Sequence, residues 1–172
     1  DESMKLLSGF KNPLRNRFYI HEIKNYQVID DTYNANPASM RSAMKTINDW
    51  NDERGRVVIL GDMYDLGDHA SEEHKRVIES ALEMNNLRKL ILIGDKFANE
   101  IKNFSDKEKE KIIKIQNKVD DFPFPDLIRE STSKSKGVVH RYYRSEGCII
   151  LIKGSRAMKM ERFVESIIKY LQ

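Results

Sequence analysis

The chain has 172 residues, 40% of them apolar and 33% charged, with 30 Lys and Arg against 27 Asp and Glu. That is enough for one domain with a proper core and too little for two ordinary ones. The net charge of +3 is spread along the chain and does not by itself argue for nucleic acid, so no such partner is expected. Apolar runs such as Ile149–Ile152 fall far short of the roughly 20 residues that a membrane span needs. The lone Cys148 excludes an internal disulfide, and no Cys/His cluster offers a structural zinc site. The opening Asp1-Glu2-Ser3 is acidic and carries no signal-peptide core. A reduced, cytoplasmic α/β domain is the expectation.

The first twenty-five residues read as a loop around Pro13, Arg15 and Arg17 that leads to a short strand near Phe18–Ile20. A strand over Tyr26–Asp31 then ends in two adjacent carboxylates, followed by Thr32-Tyr33-Asn34-Ala35-Asn36-Pro37. Asn36 before Pro37 is a good helix start, because an amide N-cap precedes a proline at the first helical position. Met40, Ala43, Met44 and Ile47 then recur at helical spacing over Ser39–Trp50. Free N–H groups at that helix start favour an anion, although the two asparagines could simply build a turn and a cap.

Val57–Leu60 and Leu90–Ile93 are continuous apolar runs closed by Gly-Asp, and Ile149–Ile152 is closed by Lys153-Gly154. Such runs mark strands buried on both faces of a parallel sheet. A weaker strand falls at Lys111–Gln116, and helical stretches at Ser71–Met84 and Met158–Leu171 separate the strands. Strand spacing of about thirty residues is that of the βαβ unit, whose right-handed crossovers give a doubly wound sheet. The stretch 120–146, with Pro123, Pro125 and a Ser/Lys-rich segment, is left unassigned.

In such a sheet, ligands bind beyond the carboxyl ends of the strands. Three motifs collect there: Asp30–Pro37, Gly61–Gly67, and Lys153-Gly154-Ser155-Arg156. Asp65 and Asp68 read as leading into a helix cap at Ser71. His74, one turn into that helix, is by spacing alone more commonly a surface or half-packed side chain than a base. Lys153, Ser155 and Arg156 at a predicted helix start suit a carboxylate or phosphate. A cation at that dipole end is unfavourable unless an anion joins it. Capping by Ser155 among solvated cations is the plainer alternative. No phosphate loop, dinucleotide fingerprint or nucleophile elbow is present, so the chain reads as half a site.

The motifs Asp30–Met40, Leu60–Gly67 and Lys153–Glu161, with His74 in place between them, closely resemble the carboxy-terminal domain of the Mur ligases that build peptidoglycan. The specific similarity is to the branch that joins D-alanyl-D-alanine to UDP-N-acetylmuramoyl-tripeptide, and it runs from about Arg17 to Glu161. The resemblance implies a Rossmann-like, mostly parallel sheet with helices on both faces. It makes 1–16 the tail of a linker from a central domain and 17–172 the carboxy-terminal domain.

It implies an ATP-dependent amide ligase working through an acyl phosphate, with Mg2+ and the phosphate loop on the central domain and this fragment inactive alone. UDP-N-acetylmuramoyl-tripeptide is then held through the other domains. Arg17 falls on the arginine of the family's Gly-Arg pair that reaches the nucleotide, with Asn16 in the glycine's place, and Asp31 on the acid that binds the ribose. Tyr33, Asn34 and Asn36 fall where the dipeptide meets the nucleotide. Ser155 and Arg156 are the candidates for the dipeptide carboxylate, with Lys153 a charge clamp or a structural neighbour. Asp62, Asp65 and His74 are expected to be structural or closure residues, and no catalytic residue or metal ligand is assigned. Two other readings compete: a haloacid dehalogenase-like phosphatase using Asp30, whose adjacent aspartates break that family's spacing, and a non-catalytic flavodoxin-like binding module.

Overall fold

The computed structural model describes residues 16–115 and 147–172. The linker tail, apart from Asn16, and the unassigned stretch 120–146 lie outside the described residues. The strands are β1 (Tyr19–Ile23), β2 (Tyr26–Asp31), β3 (Gly55–Gly61), β4 (Leu87–Ile93), β5 (Ile112–Ile115) and β6 (Cys148–Lys153). They form one sheet in the order β1-β2-β6-β3-β4-β5. All neighbours are parallel except β1, which turns back antiparallel on β2 at the edge.

The alternation of side chains along the strands divides the core in two. Ile29, Val58, Leu60, Leu90, Leu92, Ile149 and Leu151 face α1 (Pro37–Asn48), α2 (Ala70–Leu82) and α3 (Asp95–Glu100). Val28, Val57, Ile59, Ile91, Ile93, Ile150 and Ile152 face α5 (Glu161–Leu171), which contributes Phe163, Val164, Ile167 and Leu171. The short α4 (Asp106–Lys109) leads into β5. Every position of β3 and β6 is buried, which is why both read as unbroken apolar runs.

Helix α1 starts as its sequence predicts. The Asn36 side chain accepts a bond from the Ser39 N–H at 2.8 Å, while the Ser39 hydroxyl accepts one from the Asn36 N–H at 3.1 Å. Two other starts differ from expectation. Ser71 is no cap: its hydroxyl donates to Glu100 at 2.8 Å, and α2 begins after His69 without a side-chain cap. The helix expected from Met158 is interrupted by a 3-10 turn over Arg156–Met158 and by Lys159 at φ 48°, so α5 starts only at Glu161. The dipole argument for an anion at Arg156 therefore lapses, because no α-helix begins there.

Candidate functional site at the strand ends

The two carboxylates that close β2 point to different tasks. Asp30 is buried, and its Oδ1 accepts bonds from the N–H and hydroxyl of Thr32, at 3.2 and 2.6 Å, closing a local turn. It is not presented to a substrate as a phosphatase nucleophile would be. Asp31 lies directly opposite Lys153 in the β2–β6 register. Its Oδ2 accepts from the Lys153 ammonium at 2.7 Å and its Oδ1 from the Phe18 N–H at 3.1 Å. Lys153 also donates to the Asn34 carbonyl at 2.9 Å.

The segment before β1 is held against this network. Asn16 stands at φ 70°, and asparagine tolerates that left-handed region better than other non-glycine residues. Its carbonyl accepts from the Tyr33 N–H at 2.8 Å. The Arg17 guanidinium lies 4.1 Å from the centre of the Tyr33 ring, a cation–π contact on a ring that is 46% exposed.

These groups surround an open depression of about 480 Å³ lined by Arg17, Asp31, Tyr33, Asn34, Asn36 and Lys153. Its remaining wall is Phe18 and the α1 face bearing Ser39, Ser42, Ala43 and Thr46. Sequence reasoning missed that face, although small residues at i, i+3, i+4 and i+7, flanking the Met40–Met44–Ile47 stripe and sharing Ala43 with it, were a readable signal. Six of the eight predicted site residues thus come together.

Ser155 and Arg156 do not line the depression. The Ser155 N–H donates to the Asp62 carbonyl at 3.3 Å, and its buried hydroxyl has no hydrogen-bond partner among the described residues. The Arg156 side chain is 62% exposed and lies 3.7 Å from Glu161.

The motif after β3 is structural. The Asp62 carboxylate accepts the Lys96 and Phe97 N–H groups at 3.0 and 2.9 Å, capping α3. A side chain at Gly94, which sits at φ 112°, would overlap that carboxylate. His74 is fully buried rather than half-packed: its Nδ1 lies 2.6 Å from the Ala70 carbonyl and its Nε2 accepts from the Met63 N–H at 3.0 Å. That pattern requires the neutral ring protonated at Nδ1. Burial pushes the imidazole below its ordinary range. Asp65 is an exposed residue of the loop at φ 61°.

The sequence profile of the family described as "Mur ligase, glutamate ligase domain" matches residues 16–156. The chain belongs to the Mur ligases. Among similar proteins, the UDP-N-acetylmuramoyl-tripeptide--D-alanyl-D-alanine ligase of Bacillus subtilis is 27% identical, over 98% of this chain and 34% of its own length. A MurF crystal structure from Acinetobacter baumannii superposes with a TM-score of 0.71 at 26% identity, over 90% of this chain and 31% of that one. MurF from Thermotoga maritima in complex with ADP shares the fold with a TM-score of 0.67 at 22% identity, over 98% of this chain and 36% of that one. The chain therefore spans about a third of the Mur ligases it matches. Among the described residues, no helix is long and apolar enough to cross a membrane, and no group of three or more His, Cys, Asp or Glu side chains is placed to hold a metal ion.

Proposed function

We propose that this chain is the carboxy-terminal domain of the cytoplasmic ATP-dependent ligase that joins D-alanyl-D-alanine to UDP-N-acetylmuramoyl-tripeptide. The observation that carries the reading is the depression at the carboxyl ends of the parallel strands, where Arg17, Asp31, Tyr33, Asn34 and Asn36 converge. Its donor set suits a nucleotide and a zwitterionic dipeptide. Each Asp31 oxygen already accepts one bond and keeps a second lone pair for a ribose hydroxyl. Arg17 presents its face to Tyr33, which leaves the guanidinium edge for phosphate oxygens. The amides of Asn34 and Asn36 supply neutral polar groups for the dipeptide.

In the proposed reaction, the γ-phosphoryl group of ATP passes to the terminal carboxylate of the tripeptide, giving an acyl phosphate and ADP. The dipeptide amine attacks the acyl carbon, an amide forms and phosphate leaves. The amine's proton goes to water or to a group on the central domain. Magnesium, assigned to the central domain with the phosphates, would supply charge neutralisation for the transferring group. This chain's residues orient ribose and amine and, on closure, keep water from the acyl phosphate.

The test is ADP release by the intact protein that carries this chain. The reading expects turnover only when UDP-N-acetylmuramoyl-tripeptide and D-alanyl-D-alanine are both present, with L-alanyl-L-alanine inert. Turnover indifferent to the amine, or magnesium-dependent phosphatase activity abolished by Asp30→Ala, would sink it.

A further inference from the structure

The geometry points to Lys153 as a positioning residue: its buried ammonium ties Asp31 to the Asn34 carbonyl and so holds both walls of the depression in place, rather than gripping the dipeptide itself. The part of this inference that concerns ligands rests on the proposed ligase reading; the lock itself does not.

The sheet register makes the contact unavoidable. Asp31 and Lys153 are direct neighbours where β2 and β6 end, so the ammonium emerges beside the carboxylate rather than over open solvent. Lys153 is 3% exposed, and two of its three N–H donors are spent, on Asp31 at 2.7 Å and on Asn34 at 2.9 Å. A side chain so enclosed has little reach left for a bound carboxylate.

Its two acceptors hold different segments of the lining. Through Asp31 it holds the Phe18 N–H, and with it the Arg17 segment. Phe18 sits at φ 54°, a conformation that a bulky aromatic residue keeps only when its surroundings over-determine it. The Asp31 carboxylate and the edge-on contact of the Phe18 and Trp50 rings, 6.3 Å between centres, are what hold it there. Through Asn34 the ammonium fixes the loop carrying Tyr33 and Asn36. The walls meet again where the Tyr33 N–H bonds the Asn16 carbonyl. Without the ammonium, Asp31 is left partly buried with no charge opposite it, and it can satisfy itself only by turning toward water and releasing Phe18.

The test compares Lys153→Met with Lys153→Arg. In this chain, Lys153→Met is expected to speed amide hydrogen exchange at Phe18 and Tyr33 by about tenfold, with β4 amides unchanged. Lys153→Arg, which keeps charge and donors, should show about threefold at most. In the intact ligase, the KM values for ATP and for D-alanyl-D-alanine should rise together in Lys153→Met and fall back in Lys153→Arg. Unchanged exchange at Phe18 and Tyr33 would overturn the proposal. So would a rise confined to the dipeptide KM, which would mark a direct ligand, or faster exchange throughout the sheet, which would mark an ordinary core residue. An intact wild-type protein without ligase activity would remove the ligase reading alone, and the exchange measurements would still decide the lock.

Discussion

Replacing Arg56 by methionine should destabilise the domain by about 4 kcal/mol, a large share of the 5–15 kcal/mol typical of a single domain. Arg56 is buried at the amino end of β3, and its guanidinium donates to five carbonyls: Ile47 at 3.0 Å, Trp50 at 3.2 Å, Asp52 at 3.2 Å, Asn85 at 3.3 Å and Arg54 at 3.5 Å. It closes the carboxyl end of α1, where the last carbonyls have no partner within the helix. The Ile47 bond is fully buried, so its orphaned carbonyl costs about 2 kcal/mol. The other four acceptors are partly reached by water and lose about 0.5 kcal/mol each. For a domain of this size, 4 kcal/mol corresponds to a fall in Tm of about 8–16 °C.

Urea unfolding of both proteins, followed by circular dichroism, measures the difference as a shift in midpoint at constant slope. Arg56→Lys should recover less than half, since one ammonium cannot serve five acceptors set around a planar fork. A loss below about 1 kcal/mol in Arg56→Met would overturn this expectation and show that the guanidinium's desolvation cancels what its bonds return.

Three further outcomes follow from the same geometry. His74 is held neutral by burial below its ordinary pKa, so the unfolded chain binds a proton that the folded one refuses. Its contribution is fully present above about pH 6.5 and is lost as pH falls, at up to about 1.4 kcal/mol per pH unit; His74→Phe should flatten that slope while lowering stability at pH 8, as pH-dependent unfolding would measure. Gly94→Ala should cost about 3 kcal/mol, by strain at φ 112° and by displacing the Asp62 carboxylate from the start of α3, read as a drop in thermal midpoint. Asn16→Gly should be neutral to within about 0.5 kcal/mol, whereas Asn16→Val should cost at least about 1 kcal/mol at φ 70° and weaken nucleotide binding through Arg17, measured by calorimetry.

The parts of the fold legible in the sequence were those that local physics decides alone. β3, β4 and β6 are buried on both faces, and their unbroken apolar runs say so. Helix α1 carries its own start signal in Asn36-Pro37. The antiparallel sense of β1 was hidden, because its turn at Lys24-Asn25 uses a lysine at φ 53° where a glycine would have announced it. The late start of α5 was hidden for the same reason at Lys159.

For the site, Tyr33, Asn34 and Asn36, close together in sequence, line one depression with Arg17 and Asp31. The task of Lys153 was not readable, since it depends on the pairing of two strands whose contact spans 122 positions of chain. Ser155 and Arg156 were grouped with it by sequence adjacency, but the turn after β6 carries them away from the depression.

In the proposed ligase, the depression at the ends of β2 and β6 receives the nucleotide and the dipeptide. Amide NMR of this chain, titrated with ADP and D-alanyl-D-alanine and controlled with L-alanyl-L-alanine, tests it most directly. Stereoselective shifts are expected at Tyr33, Asn34 and Asn36, with ADP shifts at Arg17 and Asp31. Shifts confined to the groove between α1 and α2 around Arg41 and Glu83, or equal responses to both dipeptides, would contradict it.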